Sequence, residues 1–325
     1  MAEKDIAEHN LANYPDIFAD IINACIFILT GRWPSRPVRP EELVDAPSRN
    51  YYRSGGKTRA LARDVVKFWT AGETVLCLMG LENQTKVDPD MPLRVIGYEG
   101  GDYRRQATRR DEAAQNKGEG GRKRRRKKQK PYPILTIVLY FGTKRRWPKN
   151  KRNLLDLFTG VDESLRPLLN NCRLNVVELA FLTEEQAAAF KSDFRIVVDY
   201  LRQTRLNREY VPSDQVIVHV EAVMHLLSAL TGDSGLVENL PDIQKRGEPM
   251  TVRNFFGEAR QEAKAQGIQI GKAEGIQIGK AEGFLGALFS CVQDGLLQLS
   301  DAAKKAGMTE DEFRARMPAH ETTRH

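Results

Sequence analysis

Residues 61–68 read LARDVVKF and residues 74–82 read TVLCLMGLE, with Thr70, Ala71, Gly72 and Glu73 between them. Two β-compatible runs joined by so short a Gly-containing segment predict a hairpin. The second run is apolar on both faces, which predicts a central strand covered on both sides. A turn centred on Gly72 sets Asp64 opposite Gly80, with Glu82 the diagonal neighbour on the same face. Diagonal positions lie roughly 7 to 8 Å apart, close enough for two carboxylates to share one hard cation. Gly80, lacking a side chain, would leave room for it. Strand alternation puts Gln84 on the face of Glu82, while Asn83 points away and offers its main-chain carbonyl. The plainer alternative has both acids at strand ends in water, with Asp64 paired to Arg63 or Lys67.

Upstream, residues 14–29 predict an apolar helix following a breaker-rich opening. Asn13, Asp16, Asp20 and Asn23 recur three or four apart and form one polar stripe, facing either water or an active site. Residues 31–54, rich in Pro and Arg, read as irregular connection. Downstream, residues 88–106 predict a helix on which Arg94 and Tyr98 lie four apart, placed either for structure or to meet a phosphate. Residues 134–140 (ILTIVLY), ended by Gly142, and 173–181 (RLNVVELAF) predict two more strands. Residues 183–202 open with a Thr183/Gln186 capping box and predict a helix, as do residues 213–230. Strands alternating with helices predict a layered α/β domain over residues 1–235, a mixed central sheet flanked by helices.

Beyond that domain the octapeptide GIQIGKAE occurs twice in succession over residues 267–282. Glycine at every fourth position costs an isolated helix about 1 kcal/mol each against alanine. The composition favours a linker over residues 236–283. The alternative is a helix whose glycine stripe admits a partner helix, such as a second copy of the chain in a homo-oligomer. Residues 284–325 predict a small helical tail with Ser300 as a cap, Gly307 as a turn residue and Thr309 with Glu312 as a capping box, a pair resembling part of a helix-turn-helix.

The chain has 325 residues and a net charge of +7, and much of its basicity is local. Residues 122–130 read RKRRRKKQK, inside an insertion expected at 109–131. Arg122, Lys123, Arg124, Arg125, Arg126, Lys127, Lys128 and Lys130 repel one another, so a solvated loop is expected. It is either a phosphate-binding arm for DNA or a solubilising insertion. Cys25, Cys77, Cys172 and Cys291 are far apart and read as buried free thiols, and His219 and His225 lack ligand spacing, so no zinc site is expected. No apolar run approaches the roughly 18 residues of a membrane span, and the N-terminus lacks a signal-peptide core. The expected compartment is the cytoplasm.

The ordered set RDVVKFW, GLENQT, MPLRVIGYEG and TIVLYFGTKRRW resembles the Rpn recombination-promoting nucleases, a transposase-labelled group within the PD-(D/E)XK superfamily. The likeness covers roughly residues 5–205. It implies a restriction-endonuclease-like core and a DNA endonuclease hydrolysing phosphodiester bonds, linked to recombination or mobile elements. Magnesium, or another divalent cation such as manganese, would bind Asp64 and Glu82 with the Asn83 carbonyl, and no organic cofactor is implied. Gln84 stands where the superfamily pattern has Lys, in agreement with the Glu-x-Gln form of Rpn-type proteins. Some superfamily members add an acid from the first helix, for which Asp20 is the candidate, with Asp16 behind it. Two alternatives are a nucleic-acid-binding module with weak or lost chemistry and a DDE-type transposase, whose three acids on a different scaffold fit the close Asp64–Glu82 pairing poorly.

Overall fold

The computed structural model describes residues 3–54, 57–115, 130–208, 210–232, 237 and 250–318. In chain order its strands are β1 (Leu43–Asp45), β2 (Arg49–Ser54), β3 (Lys57–Ala62), β4 (Val65–Ala71), β5 (Thr74–Gln84), β6 (Ile134–Tyr140) and β7 (Asn175–Glu178). Five of them form one mixed sheet in the order β1-β4-β5-β6-β7, and β2 and β3 pair separately. The hairpin β4–β5 is antiparallel, while β5, β6 and β7 run parallel. The chain is α/β with a layered core.

The predicted strand at 61–68 divides between two sheets: Leu61 and Ala62 pair with Asn50 and Arg49, and the hairpin strand begins only at Val65. The stretch 31–54 is correspondingly less irregular than expected, because Leu43–Asp45 adds an edge strand to β4. Residues on β5 from Cys77 to Glu82 are buried, as a doubly covered central strand requires.

Two helices precede the sheet. The opening residues form α1 (Glu3–Asn13), a helix not expected from the sequence, and α2 (Pro15–Thr30) follows. Pro15 occupies the first turn of α2, where its missing N–H costs nothing, and Gly31 closes the helix in the left-handed region at φ 73°. The polar stripe does not converge on one site: Asn13 is exposed and Asp16 half-exposed, and each residue has its own partner. Asn13 accepts from the Lys67 ammonium, Asp16 meets His219, Asp20 accepts from the Lys191 and Ser192 amides, and Asn23 exchanges two bonds with the Val38 backbone. Each of these residues ties a different segment to the first two helices.

Parallel pairing of β5 with β6 demands a crossover, and α3 (Met91–Gln115) supplies it. It outruns the predicted 88–106 and continues through Gly100 and Gly101, so residues 109–115, placed in the insertion by the sequence, are helical. Met91, Val95 and Tyr98 bury one face of α3 and outweigh the glycines' intrinsic cost. The helix predicted at 183–202 is broken into α4 (Glu184–Ala187) and α5 (Phe194–Arg205). The Thr183/Gln186 capping box is present, and the break falls where Asp20 takes the Lys191 and Ser192 amides out of the helical ladder. The last helix of the layer, α6 (Val220–Thr231), starts later than the predicted 213.

The first unit extends to Phe256, past residue 235, because Val252 and Phe255 are fully buried and Ile217 bonds back to Met250. The GIQIGKAE repeats are helical, within α7 (Val252–Gln293), which corrects the linker reading. A Cβ at Gly271, Gly275, Gly279 or Gly283 would meet nothing within 4 Å among the described residues. In the second unit, from Gly257, α8 (Leu299–Ala306) and α9 (Glu310–Arg316) bury Ala302, Ala303 and Phe313 with Leu288. Gly307 makes the left-handed turn and Thr309 with Glu312 forms the capping box.

Cys25 and Cys77 are buried free thiols, and Cys172 and Cys291 are half-buried. Among the described residues no single helix is long and apolar enough to cross a membrane; α1 and α2 pass that test only as a pair bent by 92°.

Candidate functional site

The hairpin's register decides where its acids meet. The turn lies between Gly72 and Glu73, with Gly72 at φ 58°, and a bulge between Trp69 and Thr70 inserts one more residue. Val65 consequently faces Leu81, and Val66 rather than Asp64 faces Gly80. Asp64, just ahead of β4, comes level with Glu82 instead of diagonal to it. Its carboxylate accepts the Asn83 main-chain N–H at 2.7 Å, prolonging the ladder by a side chain.

The space beside Gly80 is not left for an ion. A Cβ there would lie 2.9 Å from Arg63 Cδ, so the glycine accommodates the Arg63 side chain. Arg63 is buried and pairs with Asp102, and Lys67 is buried against Asp45 at 2.6 Å, so neither cation takes the role of partner to Asp64 foreseen in the plainer reading.

Glu82 is fully buried at the end of β5. Its Oε2 accepts from Arg94 Nη2 at 3.1 Å, while its Oε1 has no hydrogen-bond partner among the described residues. Arg94 also donates to Asp88 at 2.8 Å and to the Tyr98 hydroxyl at 3.0 Å, so its guanidinium is held over Glu82 from three directions. Arg94 and Tyr98 therefore do share a helical face, as expected, and that face looks at the motif strand.

Beside this cluster lies a pocket of about 260 Å³ lined by Glu8, Asp64, Asn83, Gln84, Thr85, Lys86 and Arg94. Asp64, Asn83 and Gln84 were expected here. Neither carboxamide atom of Asn83 has a hydrogen-bond partner among the described residues, although both are buried, so its side chain, not only its main chain, belongs to the site. Glu8 and Lys86 were not expected. Glu8, almost fully buried, comes from α1, where Ala7, Leu11 and Ala12 share its buried face. That i, i+4, i+5 pattern was the available signal, diluted by the polar residues around it. Asp20 does not line this pocket; its carboxylate accepts from Lys191 N, Ser192 N and Ser192 Oγ at 2.7 to 3.0 Å. Asp16 is 2.8 Å from His219 Nε2. Of the basic run, Arg122, Lys123, Arg124, Arg125, Arg126, Lys127 and Lys128 lie outside the described residues, and Lys130 is exposed.

Burial, reinforced by the charge of Asp64, pushes the Glu82 carboxyl up from 4.5 to about 8, against the opposing pull of Arg94 and Arg63. Burial and the neighbouring Glu82 raise the Tyr98 hydroxyl to about 12. For Arg94, burial works against the cation, but Asp88 and Glu82 outweigh it and hold the guanidinium above its usual range.

Among the described residues no three His, Cys, Asp or Glu side chains are grouped so as to hold a metal ion by themselves. The donors do fit a magnesium-like ion, which binds one or two carboxylates and completes its shell with water and substrate phosphate. Glu82 Oε1 and the Asn83 carboxamide oxygen, both buried without hydrogen bonds among the described residues, are the local acceptors such an ion would satisfy. Comparison with protein-family models, curated proteins and solved structures yields no match.

Proposed function

We propose that this chain is a divalent-metal-dependent DNA endonuclease of the restriction-endonuclease-like class, related to the Rpn nucleases. The observation that carries the reading is Glu82, whose carboxylate is buried beside a polar pocket with one oxygen unsatisfied and its pKa raised to about 8. A shift from 4.5 to about 8 amounts to roughly 5 kcal/mol against the anion, a cost that an ion beside it offsets.

In this reading Asp64 and Glu82 hold the cation, magnesium or manganese, and Asn83 adds an uncharged oxygen. Glu8 brings a further carboxylate to the pocket from α1, the part first assigned to Asp20. When bound, the ion supplies Lewis acidity, acidifying water and offsetting charge on the phosphate. The neutral amide of Gln84 both donates and accepts hydrogen bonds, so it orients water without adding charge. Lys86 and Arg94 supply the positive charge that Gln84 lacks, and they line the same pocket. Arg94, already bonded to Glu82, keeps that carboxylate in one orientation.

One observation favours a second reading, a nucleic-acid-binding module without efficient chemistry: Arg94 already occupies Glu82 Oε2. Plasmid DNA incubated with the purified chain plus magnesium, calcium or chelator separates the two. Nicking that requires magnesium and stops with chelator supports the nuclease; binding without nicking in magnesium or manganese supports the module.

A further inference from the structure

We propose that residues 144–152, the segment leaving the C-terminal end of β6, form a preorganised docking strap for the phosphate backbone of DNA, distinct from the basic run at 122–130. The proposal rests on the nuclease reading only for the choice of DNA among polyanions.

The sequence KRRWPKNKR places six cations in nine residues, and no acid occurs from Phe141 to Leu155. Such density normally implies a solvated, unstructured loop. Here the segment is anchored. Trp147 is buried beneath it, edge-on to Tyr140, and belongs to the core cluster with Met91 and Val138. Its indole N–H donates to the Lys151 carbonyl at 3.1 Å, and its main-chain N–H donates to Glu178 Oε1 at 2.8 Å. Arg152 closes the strap by donating to Glu178 Oε2 at 2.9 Å, and Arg146, 3.5 Å from the same oxygen, lies over the Phe181 ring. Glu178 therefore uses two of the six cations structurally. Among the described residues Lys144, Arg145, Lys149 and Lys151 have no carboxylate partner, and the first three are exposed. Ordering the backbone in advance removes much of the entropic cost that a floppy basic arm meets on binding.

Position supplies the second argument. Gln84 pairs with Tyr140, and the Phe141 N–H donates to the Gln84 carbonyl at 2.8 Å. Lys144 follows Tyr140 by four residues, so its backbone lies at most about 14 Å from that of Tyr140. The strap leaves the sheet at the end that bears Asp64, Glu82 and Gln84, the carboxyl end of parallel strands where α/β sheets bind ligands. A duplex lying on the strap brings its backbone to the pocket's side of the sheet. The acidic first turn of α9, with Glu310, Asp311 and Glu312, offers phosphate no comparable attraction.

The test is a full-length variant carrying K144Q, R145Q, K149Q and K151Q, with Trp147, Arg152 and Glu178 intact and unfolding followed as a check. Binding to a fluorescent duplex of about 30 bp is measured in chelator from roughly 50 to 300 mM salt, so that no cleavage is needed. Loss of four phosphate contacts lowers the slope of log affinity against log salt by about 3.6 and weakens binding at least tenfold at about 0.1 M salt. An unchanged slope and affinity overturns the proposal even where D64A abolishes nicking, which leaves the nuclease reading standing. Conversely, the expected loss of binding in a chain that nicks no DNA in magnesium or manganese sustains the strap and removes the nuclease reading. Equal DNA binding with selective loss of binding to phosphatidylserine vesicles would assign the strap to a membrane surface and overturn it.

Discussion

Replacing Glu82 by glutamine in the metal-free protein tests the central electrostatic claim. The folded chain binds the Glu82 proton more tightly than the unfolded chain, because burial and Asp64 lift the carboxyl from 4.5 to about 8. Its contribution to stability is therefore full below pH 4.5 and is lost as pH rises to about 8. Integrated over that interval at about 1.36 kcal/mol per pH unit, the loss is roughly 5 kcal/mol. The glutamine of the E82Q variant has the same shape and no charge to bury, and Arg94 keeps Asp88 and Tyr98 as partners. Urea unfolding of both proteins in chelator, at pH values from about 4.5 to 9, isolates Glu82 with its coupling to Asp64, since the titrations of remote groups cancel in the difference. The expected result is a variant that gains on the wild type as pH rises through that window and is the more stable of the two above about pH 8. Magnesium should then stabilise the wild type and leave the variant unmoved. A stability difference that stays flat from pH 4.5 to about 8 would refute the buried, uncompensated carboxylate and the cation argued from it.

Four further outcomes are expected. D64A abolishes magnesium-dependent nicking of plasmid DNA while circular dichroism shows the wild-type fold; full activity in contaminant-free protein would remove Asp64 from the site. E8Q lowers the nicking rate roughly tenfold or more, in line with losing a carboxylate beside an ion, whereas D20N costs about 1 to 2 kcal/mol of stability and leaves nicking per folded molecule intact; the reverse pattern in the two variants would restore the sequence-based assignment. G80A costs about 1 to 3 kcal/mol by overpacking against Arg63, and a neutral effect in denaturant titrations would mean that the arginine lies elsewhere. G275A with G279A raises the thermal stability of helical signal, by about 1 kcal/mol per site, whereas a loss would show that something packs on that helical face in solution.

Long, strongly patterned elements were legible: β5, β6 and the Thr183/Gln186 cap are where the residues placed them. The hairpin pairing was legible too, but its register was not, because a bulge at Trp69–Thr70 leaves no mark on the hydrophobic pattern. The edge strand β1 has three residues, with Val44 half-exposed, too little burial to impose a pattern. The repeat helix was misjudged for the opposite reason. Glycine weighs on propensity locally, whereas Ile, Gln, Lys, Ala and Glu between the glycines all tolerate a helix, and the balance falls on the helical side.

The acids show why spacing alone under-determines a site. Glu8, Asp16 and Asp20 all lie on the first two helices, and from the sequence each is an acid on or near an apolar helix. What separates them is the element that packs over each one. Asp20 meets the break between α4 and α5, whose two amides need an acceptor, so it becomes a cap. Asp16 meets His219. Glu8, on the helix with the weaker pattern, meets the carboxyl end of the sheet, where Asp64, Asn83 and Gln84 line the same pocket. Those neighbours are 56 to 76 residues distant in sequence, so no local spacing rule reports them. The same logic converts Gly80 from an ion's vestibule into a seat for Arg63, and gives Arg94 the structural one of its two expected roles, holding Glu82. Glu82, Asn83 and Gln84 were readable as neighbours along β5, while the partners each one meets required the sheet to be closed around them.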